Sequence, residues 1–189
     1  MPRDLYDSAM QHLACRQRSD MPVDRDTAGD LPACPAGAVV SPLQIDAELR
    51  TAAAHGSVDA RRYLLMQQAS AVLQRGIAGQ VPGQSVPLSA SDEREVAAVI
   101  GQLELLALRG DRDSIDALAQ LVESPGLAAP DPVYAAAWRL AARQSADQPF
   151  PAEDRVRGTE EIFDGLSDAQ RTQVLALAPD LFAECCRRH

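Results

Sequence analysis

One pattern of residues occurs twice in the chain, and this repetition constrains the fold more than any other feature of the sequence. Small residues, a glycine, an aspartate and a leucine recur after 54 residues with unchanged spacing. The two sets are Ala53, Gly56, Asp59, Ala60 and Leu64, and Ala107, Gly110, Asp113, Ser114 and Leu118. Each set lies at the seam between two amphipathic helical patterns. Such self-similarity is typical of stacked helical pairs, in which each hairpin buries its apolar face against a neighbour.

Composition also favours an all-α fold. Apolar residues make up 46% of the chain and aromatic residues only 4%, because alanine and leucine supply most of the apolar fraction. Alanine and leucine favour close packing of helices over sheets. The 189 residues suit one domain or one short repeat array. We therefore expect a single cooperative domain over residues 1–189.

The net charge limits the classes of partner. At −9, it disfavours nucleic acid and anionic membranes, because the long-range field would oppose their approach. The acidic surface either keeps the protein in solution or suits a basic partner protein. No segment reaches the roughly 18 apolar residues that span a bilayer, so we expect no membrane insertion. All basic residues are arginines, which indicates GC-rich codon usage and hence a bacterial source.

Four cysteines bear on the cellular compartment. Cys15 and Cys34 could form a disulfide that closes a loop of about 20 residues, and the alternative is two free thiols. A bridge together with a removed signal peptide would indicate the periplasm, whereas free thiols would indicate the bacterial cytoplasm. Cys185 and Cys186 are adjacent in a predicted helix, where side chains point about 100° apart. We therefore expect these two not to bridge each other.

Hydrophobic periodicity and capping signals divide the chain into helices and loops. Serine or aspartate followed by proline marks two helix starts, at Ser41 and Asp131, and Ser167 with Gln170 forms a capping box. Pro179 lies inside the last helical pattern, which we expect it to kink or restart. The predicted helices span residues 4–18, 42–56, 57–75, 91–109, 111–123, a segment opening at 132, 152–165 and a segment opening after 167. Loops rich in proline and glycine occupy residues 19–40 and 76–90.

A named family matches part of this pattern. The residues that carry the match are Gly110, Asp111, Ser114, Leu118, Asp131, Tyr134, Ala137, Trp138, Ala141 and Ala142. Together they resemble one Sel1-like repeat, of the tetratricopeptide-like solenoids. From Gly56, Ala60 and Leu64 stand at the same plus-four and plus-eight positions, so the resemblance covers about residues 43–142. The 54-residue offset exceeds the roughly 34 residues of a tetratricopeptide unit, and the 76–90 loop accounts for most of the excess.

The resemblance implies a short right-handed superhelix of antiparallel helix pairs. Residues 1–42 would form an N-terminal helix and loop, residues 43–142 the helical pairs with an inserted loop at 76–90, and residues 143–189 the capping helices. Gly56, Ala60, Leu64, Gly110, Leu118, Ala137 and Trp138 would hold the repeat positions. Trp138 and Tyr134 are expected in the core rather than at a binding hot spot.

Motifs for chemistry are weak in this sequence. The Cys185–His189 tail offers soft metal ligands, but zinc needs about four ligands and no second cluster exists. Residues 111–122 lack the glycine and glutamate of a calcium loop. His55 ends a predicted helix, where it is expected to interact with the helix dipole. We therefore assign no catalytic residue, no metal and no cofactor.

Two functions follow as expectations. The resemblance implies a non-enzymatic scaffold that holds another protein on its solenoid groove, in bacteria an adaptor, an assembly factor or an immunity protein of a secretion system. Arginine offers planar stacking and bidentate hydrogen bonds, so the expected partner contacts are Arg61, Arg62, Arg112 and Arg139. The alternative is a small enzyme of hydrolase type with a site near His55 and the 76–90 loop.

Overall fold

A computed structural model describes residues 2–20, 34–35, 39–77, 88–152 and 155–187. Every regular element within these ranges is a helix, which confirms the all-α prediction. The helices are α1 (Pro2–Asp20), α2 (Pro42–Ala54), α3 (Val58–Ile77), α4 (Ala90–Ala107), α5 (Arg112–Val122), α6 (Pro132–Arg143), α7 (Thr159–Ile162) and α8 (Asp168–Cys185). Most of the two predicted loops, over residues 21–33, 36–38 and 78–87, falls outside the described residues. Among the described helices, none combines the length and apolar character that a bilayer crossing requires.

Helices α2 and α6 begin at the positions that the capping signals predicted. Ser41 accepts a hydrogen bond from the Gln44 backbone N–H at 3.2 Å, with Pro42 as the first helical residue. Asp131 accepts in the same way from the Tyr134 backbone N–H, at 2.9 Å. Such caps satisfy donors that the first turn of a helix leaves unpaired.

The chain divides into two compact units, which we call the N-terminal unit (Met1–Leu64) and the C-terminal unit (Leu65–His189). In the N-terminal unit α1 packs against α2 around a small core. Its fully buried members are Ala9, Ile45 and Leu49, surrounded by half-buried residues such as Tyr63 and Leu64. A disulfide joins Cys15 of α1 to Cys34, which is the first of the two alternatives that the sequence left open.

The C-terminal unit has a much larger core. Helix α5 packs against α4 and α6, and α6 packs against α8. Trp138 is only 1% exposed, so the expectation that it packs in the core is confirmed. The largest fully buried side chains of this unit are Trp138, Phe182, Leu103, Ile115, Leu118 and Leu140. Ala137 is buried beside them, and Ala60 is buried in the N-terminal unit.

The two seam glycines have the same local conformation. Gly56 has φ +94° and Gly110 has φ +84°, a region that side chains other than glycine rarely adopt. The residue after each glycine caps the next helix: Ser57 accepts from the Ala60 backbone N–H at 3.1 Å, and Asp111 from that of Ser114 at 3.0 Å. One such corner therefore occurs in each unit.

The predicted helix over residues 152–165 is wrong in extent, because within its described residues only Thr159–Ile162 is α-helical. A tertiary contact explains the difference. The buried Gln144 amide donates to the Arg157 carbonyl at 3.0 Å and accepts from its N–H at 3.2 Å, which occupies backbone groups that a helix would need. Gly158, at φ +83°, then turns the chain.

For the last helix, one of the two effects expected of Pro179 is excluded and one expectation about the cysteines is corrected. Helix α8 runs from Asp168 to Cys185 through Pro179 without restarting there. Cys185 and Cys186 are joined by a disulfide, whereas we expected their side chains to diverge. That expectation assumed two helical residues. Cys186 instead caps the helix with φ −119° and ψ −16°, so the second side chain leaves the regular helical direction.

Candidate protein-binding surface

The two predicted contact arginines of the N-terminal unit lie on α3 and differ in their availability. Arg61 is exposed. Arg62 is largely covered, and its guanidinium donates to the Asp59 carboxylate one turn earlier, at 2.7 Å. Only Arg61 therefore presents an uncommitted guanidinium at this position.

The two predicted contact arginines of the C-terminal unit differ in the same way, one being exposed and the other paired. Arg112 begins α5 and is exposed. Arg139 of α6 makes a bidentate ion pair with Glu123, with one N–O distance of 2.7 Å. The hydrogen bond to Glu123 raises the pKa of Arg139 above its ordinary value. Arg139 thus joins α6 to the end of α5. Of these two arginines, only Arg112 is exposed without an ion pair to a described residue.

The described residues do not bring His55 together with carboxylates, as the alternative enzyme site would require. His55 is the exposed C-cap of α2 and makes no hydrogen bond to a described carboxylate. Residues 78–87 of the loop predicted to accompany it lie outside the described ranges. In those ranges, no group of three or more potential ligands is arranged to hold a metal ion.

Sequence reasoning missed a histidine–carboxylate pair in the N-terminal unit. The Nδ1 atom of His12 on α1 lies 2.7 Å from a carboxylate oxygen of Glu48 on α2. Gln44 donates to the other oxygen of that carboxylate at 3.2 Å. Because 36 residues separate His12 from Glu48, no short motif could have indicated the pair. Its described contacts include no hydroxyl or thiol, so the pair links α1 to α2.

Tyr134 and Trp138 form an aromatic pair one turn apart on α6. Their rings meet edge to face, with centroids 6.1 Å apart. The Tyr134 hydroxyl donates to Glu104 of α4 at 2.8 Å. Burial raises the pKa of Tyr134 to about 12, and the Glu104 carboxylate acts in the same direction, while the nearby Trp138 indole opposes it. The indole N–H itself has no hydrogen-bond partner among the described residues, which leaves a buried donor in the core.

The surface best suited to a partner is the outer face of α4. The core face of this helix is apolar, with Val96, Val99 and Leu103 buried, but most of the opposite side is apolar too. At 100° per residue, one sector about 100° wide contains what we call the outer stripe. Its members are Ala90, Arg94, Ala97, Ala98, Gly101, Leu105 and Leu108.

Among the described residues, the members of the outer stripe are exposed except for Gly101, which is half-buried. Leu105 is 58% exposed and Leu108 is 38% exposed, although both are large and apolar. A Cβ atom added to Gly101 would meet no atom within 4 Å. Small residues in the middle of the stripe and leucines at its end make a smooth surface on which another backbone could lie closely. The spacing of Leu105 and Leu108 was visible in the sequence, but we predicted no exposed apolar face from it.

Arginines flank the outer stripe. Arg94 lies in it, Arg109 follows its last leucine, and Arg112 begins the next helix. None of the three makes an ion pair with a described carboxylate, and Arg94 only donates to the Ala90 carbonyl at 3.0 Å. The C-terminal unit contains 18 acidic residues and 11 arginines, a net charge of −7. Three arginines without a described ion pair therefore lie in the outer stripe or next to its end in the sequence, and the exposed Glu93 precedes Arg94.

Comparison of the chain with protein-family models, with curated proteins and with solved structures finds no match in any of the three. The geometry of the described residues therefore carries the functional argument.

Proposed function

We propose that this chain is a non-enzymatic protein-binding scaffold or adaptor, and that the outer stripe of α4 is its main docking surface. The observation that carries the proposal is the uncovered apolar sector of Leu108, Leu105, Gly101 and the alanines before them. A helix in a water-soluble fold normally buries its apolar sector and exposes a polar one. A second apolar sector, rimmed by charge, is typical of an interaction site.

The proposed occupant is an amphipathic helix of a partner protein. The stripe has helical spacing, so a helix laid along it would place its own anchors between the side chains of α4. Gly101 and the two alanines before it would let the partner backbone approach, and Leu105 and Leu108 would supply most of the buried apolar area. The partner helix would therefore carry a narrow leucine-rich or alanine-rich face.

The charges beside the stripe favour acidic flanks on that partner helix. Arg94, Arg109 and Arg112 would pair with carboxylates that border its apolar face. A second copy of this chain fits less well, because two-fold pairing would bring arginines of one stripe against arginines of the other. The net charge of the whole chain predicts long-range attraction to a basic partner, and this stays a prediction. At the outer stripe itself, the arginines favour acidic residues on the partner helix. Arg61 remains a proposed contact of the N-terminal unit.

The Sel1-like resemblance supports the same class of function. Two glycine corners with matching backbone angles and matching caps, at Gly56 and Gly110, are what repeated helical pairs would produce. We retain the right-handed superhelix of such pairs, the adaptor, assembly-factor or immunity role and a bacterial source as parts of the proposal. The rival hydrolase would need His55 brought together with carboxylates, and its test is a panel of hydrolase assays on the full chain.

Two synthetic peptides test the docking surface. Both form the same leucine–alanine helix, one flanked by glutamates and the other by lysines, and fluorescence anisotropy measures their binding to the full chain. The glutamate peptide is expected to bind about tenfold more tightly at low salt, and the difference is expected to shrink as salt screens the arginines. Equal binding of the two peptides would refute the assignment of acidic flanks.

A matched pair of variants locates the binding. Leu105→Glu places a carboxylate in the stripe and is expected to abolish binding of the glutamate peptide. Gln120→Glu makes the same change in charge at an exposed position of α5 outside the stripe, and is expected to bind normally. A photo-crosslinker at position 101, used in cells of the native host, then identifies the partner. Crosslinks only between copies of this chain would overturn the proposed occupant.

A further inference from the structure

A cavity separate from the outer stripe lies in the loop between α6 and α7. Its volume is about 370 Å³, within the range of sites for small ligands. The residues that matter for its chemistry are Gln144, Ser145, Gln148, Phe150, Arg155 and Arg157. Nothing in the proposed scaffold function uses these residues.

Side chains anchored in the core hold the cavity walls. Gln144 is 3% exposed, and its amide binds the Leu140 carbonyl at 2.8 Å as well as both backbone polar groups of Arg157. Phe150 packs edge to face on the core residue Phe182, with ring centroids 5.7 Å apart. The loop is therefore fastened at two points, one to the end of α6 and the other to α8. Fixed walls reduce the ordering cost of binding a ligand.

The lining combines positive charge with an apolar wall. Arg157 supplies the charge, Ser145 and Gln148 supply neutral hydrogen-bonding groups, and Phe150 stands between two prolines. No carboxylate contributes to the lining among the described residues; Glu153 and Asp154 lie outside them. The Arg157 guanidinium makes no ion pair with a described residue. By contrast, nearby Arg143 is paired with Glu161 at 3.0 Å.

We infer that this cavity binds a small carboxylate ligand with an apolar body. The planar guanidinium of Arg157 matches a carboxylate in a two-point hydrogen bond. Phe150 and the flanking prolines would cover the apolar body, and Ser145 and Gln148 would bind any further polar group. Two sources present this chemistry, namely a free organic acid and the C-terminal carboxylate of a short peptide.

Four probes test the inference on the full chain. They are 3-phenylpropionate, its neutral amide, and a tripeptide ending in phenylalanine with either a free or an amidated C-terminus. Amide ¹H–¹⁵N spectra should show saturable shifts in residues 144–157 with the carboxylate probes and not with the amides. Tighter binding of the acid or of the free peptide identifies the source. Equal binding of the neutral amides, or no shifts from any probe at about 10 mM, would overturn the inference.

Variants show whether the binding depends on Arg157. Arg157→Gln removes the guanidinium and keeps the backbone groups that Gln144 holds, so the fold is expected to remain and the affinity to fall about tenfold. Arg187→Gln makes the same change in charge at an exposed arginine that has no ion pair with a described residue and lies outside the cavity lining, and it is expected to bind like the wild type. Equal losses in both variants would mean non-specific attraction and would refute the site. Melting curves of both variants check the fold.

Discussion

The two units of the chain are stabilised by different means. The N-terminal unit has a small core cluster in which half-buried residues surround three buried apolar ones, and a disulfide ties Cys34 to its first helix. The C-terminal unit buries Trp138, Phe182 and many aliphatic residues of five helices in one core. A small core supplies little burial energy, so a covalent tie matters most where the core is small. Two units built from similar alanine- and leucine-rich helices can therefore depend for their stability on a crosslink in one case and on core packing in the other.

The largest effect is expected from the core of the C-terminal unit. Trp138→Ala should lower the free energy of unfolding by about 3–5 kcal/mol, because it leaves a large cavity in a fully buried position. Trp138→Phe should cost clearly less, since it keeps an aromatic ring and removes the unpaired indole N–H. Urea denaturation followed by circular dichroism measures both. Equal losses for the two variants would contradict this account of the core.

The disulfides provide the next test, and they differ in the length of chain that they close. Cys15→Ala with Cys34→Ala should cost about 3 kcal/mol, because the bridge spans 19 residues of sequence. Cys185→Ala with Cys186→Ala is the matched control, and the same relation gives only about 1 kcal/mol for adjacent residues. Denaturation with and without a reducing agent measures the effects. If reductant destabilised the first variant as much as the wild type, the N-terminal unit would not depend on its bridge.

The seam glycines compare the two corners directly. Alanine at either position must adopt a positive φ, which costs about 1–2 kcal/mol. At Gly56 the new Cβ would meet nothing within 4 Å, whereas at Gly110 it would lie 3.3 Å from the Cys185 carbonyl oxygen. Gly110→Ala should therefore destabilise more than Gly56→Ala. Thermal melts of the two variants decide the order, and the reverse order would count against the close packing at Gly110.

The smallest effect concerns alkaline pH. Tyr134 has a folded-state pKa of about 12, against 10 for an ordinary tyrosine, because burial disfavours the phenolate. The unfolded chain therefore releases this proton first, and stability should fall as pH rises from about 10 through about 12. Tyr134→Phe should show a shallower decline over this window. Urea midpoints at several pH values measure the difference, and parallel curves would contradict the raised pKa.

Local features of this fold were predictable, and contacts between distant residues were not. The caps at Ser41 and Asp131, the corners at Gly56 and Gly110 and the burial of Trp138 all follow from spacings of a few residues. The pairing of Arg62 with Asp59 is also local, and the three-residue spacing could have indicated it. Arg139 lies 16 residues from Glu123, and no helical spacing relates the two. Two of the four predicted contact arginines, Arg62 and Arg139, therefore form ion pairs within the protein. Only the pairing of Arg62 could have been predicted from the sequence.

The sequence by itself determined most of the helical segments and where most of them begin, because neighbouring side chains and backbone groups decide these properties. Only the tertiary structure decided that the second apolar face of α4 stays exposed, since that depends on which helices pack against it. It also decided that residues 155–158 turn instead of continuing a helix, because Gln144 captures the backbone of Arg157 from 13 residues away. The surface left for a partner is what remains after those long-range contacts have formed.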